Sequence, residues 1–138
     1  MTNLVTRTFR KEEKLCSQKV MGDLFLSGSS FLSYPFRIVW KIYEVLPSES
    51  PAQAGFSVPK RIFKHAADRN RLKRMMRESY RLNKSTLYES LHQSDFRLAL
   101  MLVYIAKEEL PYVKIDQAIV KALGKIMGQL NGSKEGNE

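Results

Sequence analysis

The sequence predicts an α+β fold, a two-layer α/β sandwich with a central sheet of about four strands and three helices. Segments with helical and strand-like patterns follow one another in the order helix, strands, helix, strand, helix. Residues 95–105 form a nearly continuous apolar run, which is typical of a central strand buried on both faces. A chain of 138 residues, 43% of them hydrophobic, is long enough for one core. We therefore predict a single domain over residues 1–130 and a disordered polar tail over residues 131–138.

Two kinds of pattern define the N-terminal half. Residues 12–27 predict a helix because their apolar residues recur at helical spacing, and Gly28 with two serines ends it. Residues 36–43 are rich in β-branched and aromatic side chains and predict a strand. Residues 54–58 predict a second, short strand, which Pro59 stops.

The C-terminal half predicts two more helices around the apolar strand. Residues 66–84 have a helical period, and residues 85–93 either extend that helix or follow it. Pro111 opens the last helix. Its apolar stripe, with spacings of 3 and 4, consists of Ile115, Ala118, Ile119, Ala122, Leu123, Ile126, Met127 and Leu130.

The positive charge is concentrated in one segment. Residues 60–84 contain ten basic and two acidic residues and so carry +8 of the whole-chain net charge of +9. Together with a pI near 9.8, this predicts a polyanionic partner, nucleic acid rather than an anionic membrane surface. No apolar run approaches the roughly 20 residues of a membrane span, and we expect a cytoplasmic protein.

The charged segment forms an ordered face when it is drawn as a helix. One side carries Leu72, Met75, Met76, Ser79 and Tyr80. The opposite arc, about 100° wide, carries Asn70, Lys73, Arg74, Arg77, Arg81 and Lys84. Like charges at these spacings repel by a few tenths of a kcal/mol per pair, and a bound polyanion would remove the repulsion. A merely solvated charged face is the alternative, but the clustering and the excess of arginine favour phosphate binding.

The kind of nucleic acid follows from what flanks this helix. No turn-and-helix partner or dimer motif accompanies it, as DNA readers usually require. RNA, recognised through shape and backbone, fits better. We therefore predict an RNA-binding protein. Within this class, a structural RNA binder of the ribosomal or assembly-factor type is one alternative function, and outside it the alternative is a DNA-binding regulator.

These residues resemble the signature of a known family, the bacterial ribonuclease P protein component. Its motif Arg-Asn-Arg/Lys-x-Lys-Arg-x-x-Arg is matched by residues 69–77. Residues 55–61, Gly-Phe-Ser-Val-Pro-Lys-Arg, are similar to the family's preceding strand. Leu24 and Phe25, followed by Gly28, resemble the end of its first helix. Residues 62–64 depart from the pattern because the family often has a glycine near this point.

The resemblance implies a fold and a function. The fold is of the type shared with a ribosomal protein domain and translation-factor domains, with a left-handed crossover through the motif helix, although right-handed crossovers are the general rule. The implied partners are the catalytic RNA subunit of ribonuclease P, in a 1:1 complex with a monomeric protein, and precursor tRNA. The complex removes the 5′ leader by endonucleolytic hydrolysis, and Mg²⁺ bound by the RNA supports the chemistry.

The resemblance and the charge pattern together define two sets of candidate site residues. The RNA-binding set is Lys60, Arg61, Arg69, Asn70, Arg71, Lys73, Arg74, Arg77 and Arg81. The leader-binding set combines the motif-matched Phe25 with Phe36, Arg37 and Trp40, which are chosen from strand alternation alone.

No catalytic or metal-ligating residue of the protein is expected. His65 and His92 are far apart in sequence, and the acidic pairs Glu12/Glu13 and Glu108/Glu109 have the pattern of solvated surface. The single cysteine, Cys16, excludes an internal disulfide and a cysteine-rich metal site, and we expect it to be partly buried. These expectations agree with chemistry carried by RNA.

Overall fold

The structure, a computed structural model, describes residues 9–46 and 49–136. After a short 3₁₀ turn, Lys11–Glu13, come three helices and four strands. In chain order they are α1 (Gln18–Ser27), β1 (Ser29–Ser33), β2 (Phe36–Tyr43), β3 (Ala52–Ser57), α2 (Ala66–Ser94), β4 (Arg97–Tyr104) and α3 (Tyr112–Gly136). The predicted α+β class and element order are confirmed.

The four strands form one mixed, open sheet in the order β1-β2-β4-β3. β1 pairs antiparallel with β2, and β2 pairs antiparallel with β4. β3 pairs parallel with β4, and a parallel pair needs a crossover connection, which is α2. β4 is therefore a central strand, as its apolar run predicts, and it is buried along most of its length.

Strand alternation divides the core between the two faces of the sheet. Phe36, Ile38 and Trp40 of β2 belong to the larger core, beneath α2 and α3. Val39 and Tyr43 point to the other face, where α1 adds Leu24 to a smaller cluster. Among the described residues, two helices thus cover one face, and the short α1 covers the other together with Leu15 and Leu46 from the segments beside it.

The end of α1 explains one glycine of the sequence motif. Ser17 caps the start of the helix by accepting a hydrogen bond from the Val20 amide, at 3.2 Å. At the other end, the Gly28 amide donates to the Leu24 carbonyl at 2.8 Å. A Cβ at Gly28 would collide with that carbonyl oxygen and would lie 3.0 Å from the Trp40 carbonyl oxygen, so a side chain there requires a backbone shift.

Several boundaries differ from those predicted. The serines after Gly28, which were predicted only to end the helix, begin an edge strand, β1, because pairing with β2 outweighs their weak strand propensity. α2 includes residues 85–94, which resolves the alternative that the sequence left open. α3 continues to Gly136, into the segment predicted to be disordered, because each added residue gains one hydrogen bond on an existing helix. Residues 137 and 138 lie outside the described residues.

Candidate nucleic-acid interface

The N-terminal half of α2 has the two faces that its sequence predicts. Leu72, Met76, Ser79 and Tyr80 are fully buried against the rest of the core. Met75 is partly buried and packs against the same cluster. The buried side fixes the rotation of the helix, so the motif cations point away from the core.

Four polar side chains of the motif are available for a ligand. Asn70 and Arg74 are exposed, and Lys73 and Arg77 are half-buried. Within residues 9–46 and 49–136, the side chains of these four residues make no hydrogen bond or ion pair. Three unpaired cations on adjacent helical turns repel one another, and a phosphate backbone would relieve this repulsion. We name these four residues the unpaired motif face.

Other arginines of α2 are engaged within the protein. Arg71 forms a two-point contact with the Glu109 carboxylate, with both nitrogen–oxygen distances 3.0 Å, and reaches Asp68 at 2.6 Å. Arg81 pairs with Glu78 at 2.6 Å. The neighbouring carboxylates raise the pKa of both guanidinium groups. RNA contact by Arg71 and Arg81 stays a prediction, and phosphate would first have to displace these carboxylates.

Arg69 supports the loop that precedes α2. Its guanidinium donates to the carbonyls of Phe63 and Lys64 at 2.8 and 2.9 Å. Phe63 is buried and its ring meets Tyr104 edge-on, with centroids 5.7 Å apart. The departure from the family pattern at residues 62–64 therefore adds an aromatic anchor. Lys60 and Arg61 are exposed in the turn just before this anchor.

Lys84 does not belong to the cationic face, contrary to the helical drawing of the sequence. It is 1% exposed and forms a buried ion pair with Glu13. The Tyr88 hydroxyl donates to the same Glu13 carboxylate at 2.6 Å, and burial is the main cause that raises the pKa of Tyr88. Buried residues of α2 follow one another mainly at four-residue steps, and each step advances about 40° around the helix. The buried side therefore rotates along the helix and reaches Lys84, which the helical drawing places on the outer arc near Arg77.

The leader-binding set is corrected in two positions. Phe36 is 0% exposed and Trp40 is 7% exposed, both within the core beneath α2 and α3. Neither ring can stack on a nucleotide, so these two predictions are wrong. Alternation along β2 was recognised correctly, but the sequence does not show which face of the strand is covered by two helices. Phe25 and Arg37 are exposed, and Phe25 keeps 47% of its surface open.

One row across the sheet remains open on the α1 side. Arg37 pairs in register with Leu32 on β1 and Val103 on β4, and Val103 pairs with Ser57 on β3. Leu32 is 69% exposed, whereas in the next row on this face Val39 and Met101 are buried. We name Ser57, Val103, Arg37 and Leu32 the open row. Because β3 ends at Ser57, the open row, the Lys60–Arg61 turn and the start of α2 share one end of the sheet.

Polar contacts attach α1 to β2 on the same face of the sheet as the open row. The Asp23 carboxylate accepts hydrogen bonds from Lys41 at 2.8 Å and from Tyr43 at 2.6 Å. These hydrogen bonds, that of Lys41 first, lower the pKa of Asp23. Burial, and then the contact with Asp23, raises the pKa of Tyr43 to about 12. The hydrogen bonds of Asp23 with Lys41 and Tyr43 fix α1, the helix that presents Phe25.

The described residues contain no arrangement suited to protein-based hydrolysis. His65 and His92 lie near opposite ends of α2, 27 residues or about 40 Å apart. No group of three or more His, Cys, Asp or Glu residues in that part of the chain could hold a metal ion. The acidic pairs are not simply solvated surface, since Glu13 binds Lys84 and Glu109 binds Arg71. Cys16 is exposed rather than partly buried.

A basic α+β domain with an unpaired arginine- and lysine-rich helix face and an open sheet row defines an RNA-binding protein. The Ribonuclease P family model matches residues 9–129. The chain belongs to the ribonuclease P protein family, which acts with an RNA subunit in processing the 5′ end of tRNA. As the protein component, it is a subunit of a ribonucleoprotein endoribonuclease, and its partners are that RNA and precursor tRNA.

Individual relatives agree with this assignment. The chain is 32% identical to the ribonuclease P protein component of Porphyromonas gingivalis, with both sequences covered completely. It is 35% identical to that of Chlorobium phaeobacteroides over 76% of this chain and 77% of the relative. The fold is similar to the Staphylococcus aureus RNase P protein structure, with a TM-score of 0.65, 16% identity, and 83% and 94% of the two chains covered. None of the described helices is long and apolar enough to cross a membrane.

Proposed function

We propose that the unpaired motif face is the main contact with the RNA subunit. The observation that carries this proposal is that Lys73, Arg74 and Arg77 have no carboxylate partner among the described residues, although carboxylates pair Arg71 and Arg81 on the same helix. Arginine binds phosphate oxygens through two parallel hydrogen bonds, and Asn70 can bond a phosphate or a 2′-hydroxyl. Lys60 and Arg61 extend this surface toward the end of the sheet.

The open row is the proposed platform for the unpaired 5′ leader. Single strands are bound with little sequence preference by a cationic groove together with surfaces on which bases stack. Arg37 supplies the cation, Leu32 and Val103 supply apolar contact, and Phe25 supplies an exposed ring on α1. Asp23, through Lys41 and Tyr43, attaches that helix to the same face of the sheet.

The chemistry in this proposal belongs to the RNA subunit and its Mg²⁺ ions. The role of the protein is to neutralise phosphates and position the leader, which lowers the cation concentration at which the complex assembles. We further propose that one monomer of the protein binds one RNA subunit and that the complex acts in the bacterial cytoplasm.

Reconstitution with the RNA subunit tests the proposal. At low Mg²⁺, the protein and RNA together are expected to remove the leader from precursor tRNA, and the protein alone is expected to leave it intact. Cleavage by the protein alone, with no RNA subunit present, would contradict RNA-based chemistry.

A matched set of substrates separates the two surfaces. Neutralising Arg74 and Arg77 should weaken binding of the protein to the RNA subunit, whether precursor tRNA or mature tRNA is the ligand of the complex. Phe25→Ala and Arg37→Gln should instead reduce affinity for precursor tRNA and leave affinity for mature tRNA, which has no leader, unchanged. Equal losses of affinity for both tRNAs would show that Phe25 and Arg37 do not contact the leader.

Light scattering of the assembled complex tests the proposed 1:1 stoichiometry of protein and RNA subunit.

A further inference from the structure

A groove with the character of a nucleotide site lies beside the open row, at the β1 edge of the sheet. The turn between β1 and β2 and the first half of α3 enclose a depression of about 490 Å³. This volume lies within the roughly 300–1,000 Å³ usual for sites that bind small ligands. Its main lining residues are Leu32, Tyr34, Lys114, Gln117 and Lys121. We name it the hairpin groove.

The walls of the hairpin groove are tied together. The Ser33 hydroxyl donates to the Ala118 carbonyl of α3 at 3.0 Å. Two turns further along α3, the Lys125 ammonium lies over the Phe31 ring, 4.6 Å from its centroid. The Tyr104 hydroxyl accepts from the Leu110 amide at 3.0 Å and thereby fixes the approach to α3. The groove is therefore already formed before a ligand binds, which reduces the entropy cost of binding.

The charge of the groove selects an anionic ligand. Lys114 and Lys121 are exposed, and no carboxylate is among the residues that line the groove. Neither lysine makes a hydrogen bond or ion pair with the part of the chain that the structure describes. Lys121 follows Lys114 by seven positions, about 10.5 Å along the helix, so the two can contact separate phosphates of one strand.

Tyr34 provides the stacking surface of the same site. Its side chain is 64% exposed, and Leu32, two residues earlier, is 69% exposed, so the two side chains present apolar surface to solvent at this edge of the sheet. Tyr34 also borders a second depression of about 520 Å³, but that depression is lined by one cation and one anion, Lys107 and Glu108, whereas the hairpin groove is lined by two lysines and no carboxylate. An anionic strand is therefore better accommodated on the α3 side of the ring.

Leu32 joins the groove to the proposed leader platform. The open row crosses four strands and spans roughly 14 Å from Ser57 to Leu32. A strand that leaves the row at the β1 edge passes Leu32 and next meets Tyr34, Lys114 and Lys121. We propose that the hairpin groove is a second subsite for single-stranded RNA, which takes leader nucleotides beyond those on the open row. This inference rests on the proposed leader function of that row.

Leader length tests the subsite. The assembled complex of protein and RNA subunit is given precursor tRNAs whose leaders increase in length, and the affinity for each is measured. For the unchanged protein, affinity should rise first as the open row is filled and again when the leader reaches the groove. For leaders that reach the groove, Tyr34→Ala, or Lys114→Gln with Lys121→Gln, should lower the affinity for precursor tRNA about five- to tenfold. The first rise in affinity should stay intact in these variants.

Conservative variants and the short leaders make the outcome specific. Tyr34→Phe keeps the ring, and Lys114→Arg with Lys121→Arg keeps the charge, so both should retain the second rise. If the second rise is absent, or is unchanged in Tyr34→Ala and in the double lysine variant, the subsite is contradicted while the platform stands. If no leader of any length increases affinity, both the platform and this subsite fall.

Discussion

Two groups of cations on one helix have different fates in this protein. In the first half of α2, Lys73, Arg74 and Arg77 extend from the core without a partner among the described residues. Further along, Arg81 pairs with Glu78, and Lys84 is buried against Glu13. The residue types and helical positions are nearly the same, so what separates them is whether a carboxylate lies within reach, on the same helix for Arg81 and from the N-terminal segment for Lys84.

The paired and the unpaired cations are expected to have different roles, in the stability of the fold and in the binding of RNA respectively. A buried ion pair that loses one partner leaves an uncompensated charge, which is costly. An exposed, unpaired cation contributes little to the free energy of unfolding, because water solvates it in both states. The cations that matter most to the fold are therefore expected to matter least to RNA, and the reverse.

Removal of the buried cation should give the largest effect. Lys84→Ala leaves Glu13 buried without its ion-pair partner, and we expect a loss of about 3–5 kcal/mol in the free energy of unfolding, measured in urea. The control is the double variant Glu13→Gln with Lys84→Met, which should recover much of that stability. A loss below about 1 kcal/mol in Lys84→Ala would show that the pair is not structurally important.

Release of Arg71 should convert a paired cation into an RNA-binding one. Glu109→Gln removes the two-point carboxylate contact and leaves only the Asp68 contact. We expect the slope of log affinity for the RNA subunit against log salt to steepen by up to about one. Glu108→Gln, which removes the same charge beside it, is the matched control. Equal effects of the two variants would mean that only net charge is at work.

Substitutions of the unpaired Arg74 and the paired Arg71 should have smaller and unequal effects on the free energy of unfolding. Arg74→Gln is expected to change the free energy of unfolding by no more than about 0.5 kcal/mol, because the side chain is exposed and unpaired. Arg71→Gln breaks two exposed ion pairs and should cost up to about 1 kcal/mol. Thermal unfolding monitored by circular dichroism resolves the difference. A larger loss of stability for Arg74→Gln than for Arg71→Gln would contradict the assignment of Arg74 to the unpaired cations.

The smallest effect concerns pH and the attachment of α1, which has no part in the cationic face. Because the pKa of Asp23 is lowered below its ordinary value of 3.8, its contacts stabilise the fold above that pH. This stability is lost as the pH falls through the lowered pKa. Asp23→Asn should therefore flatten the acid side of a plot of melting temperature against pH. A plot unchanged by Asp23→Asn would show that the Lys41 and Tyr43 contacts do not stabilise the fold.

Periodicity predicted most of the fold because it records which side of each element is buried. The α+β class, the central β4 and the buried side of α2 near Leu72 and Met76 all follow from local patterns. β1 was missed because three of its five residues are serine, and its pairing with β2 is a tertiary effect. The handedness of the crossover was expected from the family resemblance and stays a prediction.

The candidate site was less predictable because its details depend on long-range partners. Nothing near Lys84 in sequence indicates that Glu13 lies beside it, and nothing near Arg71 indicates Glu109. Phe36 and Trp40 were assigned to the wrong face of β2 because alternation defines two faces but does not say which one is open. One signal was present: acidic residues in a strongly basic protein are often partners of particular cations.

The salt dependence of RNA binding by two matched double variants tests the division of α2 most directly. Arg74→Gln with Arg77→Gln and Arg71→Gln with Arg81→Gln each remove two positive charges from the same helix. The first pair is expected to lower the slope of log affinity against log salt by about two, and the second pair by less than one. Equal reductions in slope, or a larger one for Arg71 and Arg81, would contradict the claim that the unpaired motif face is the main RNA contact.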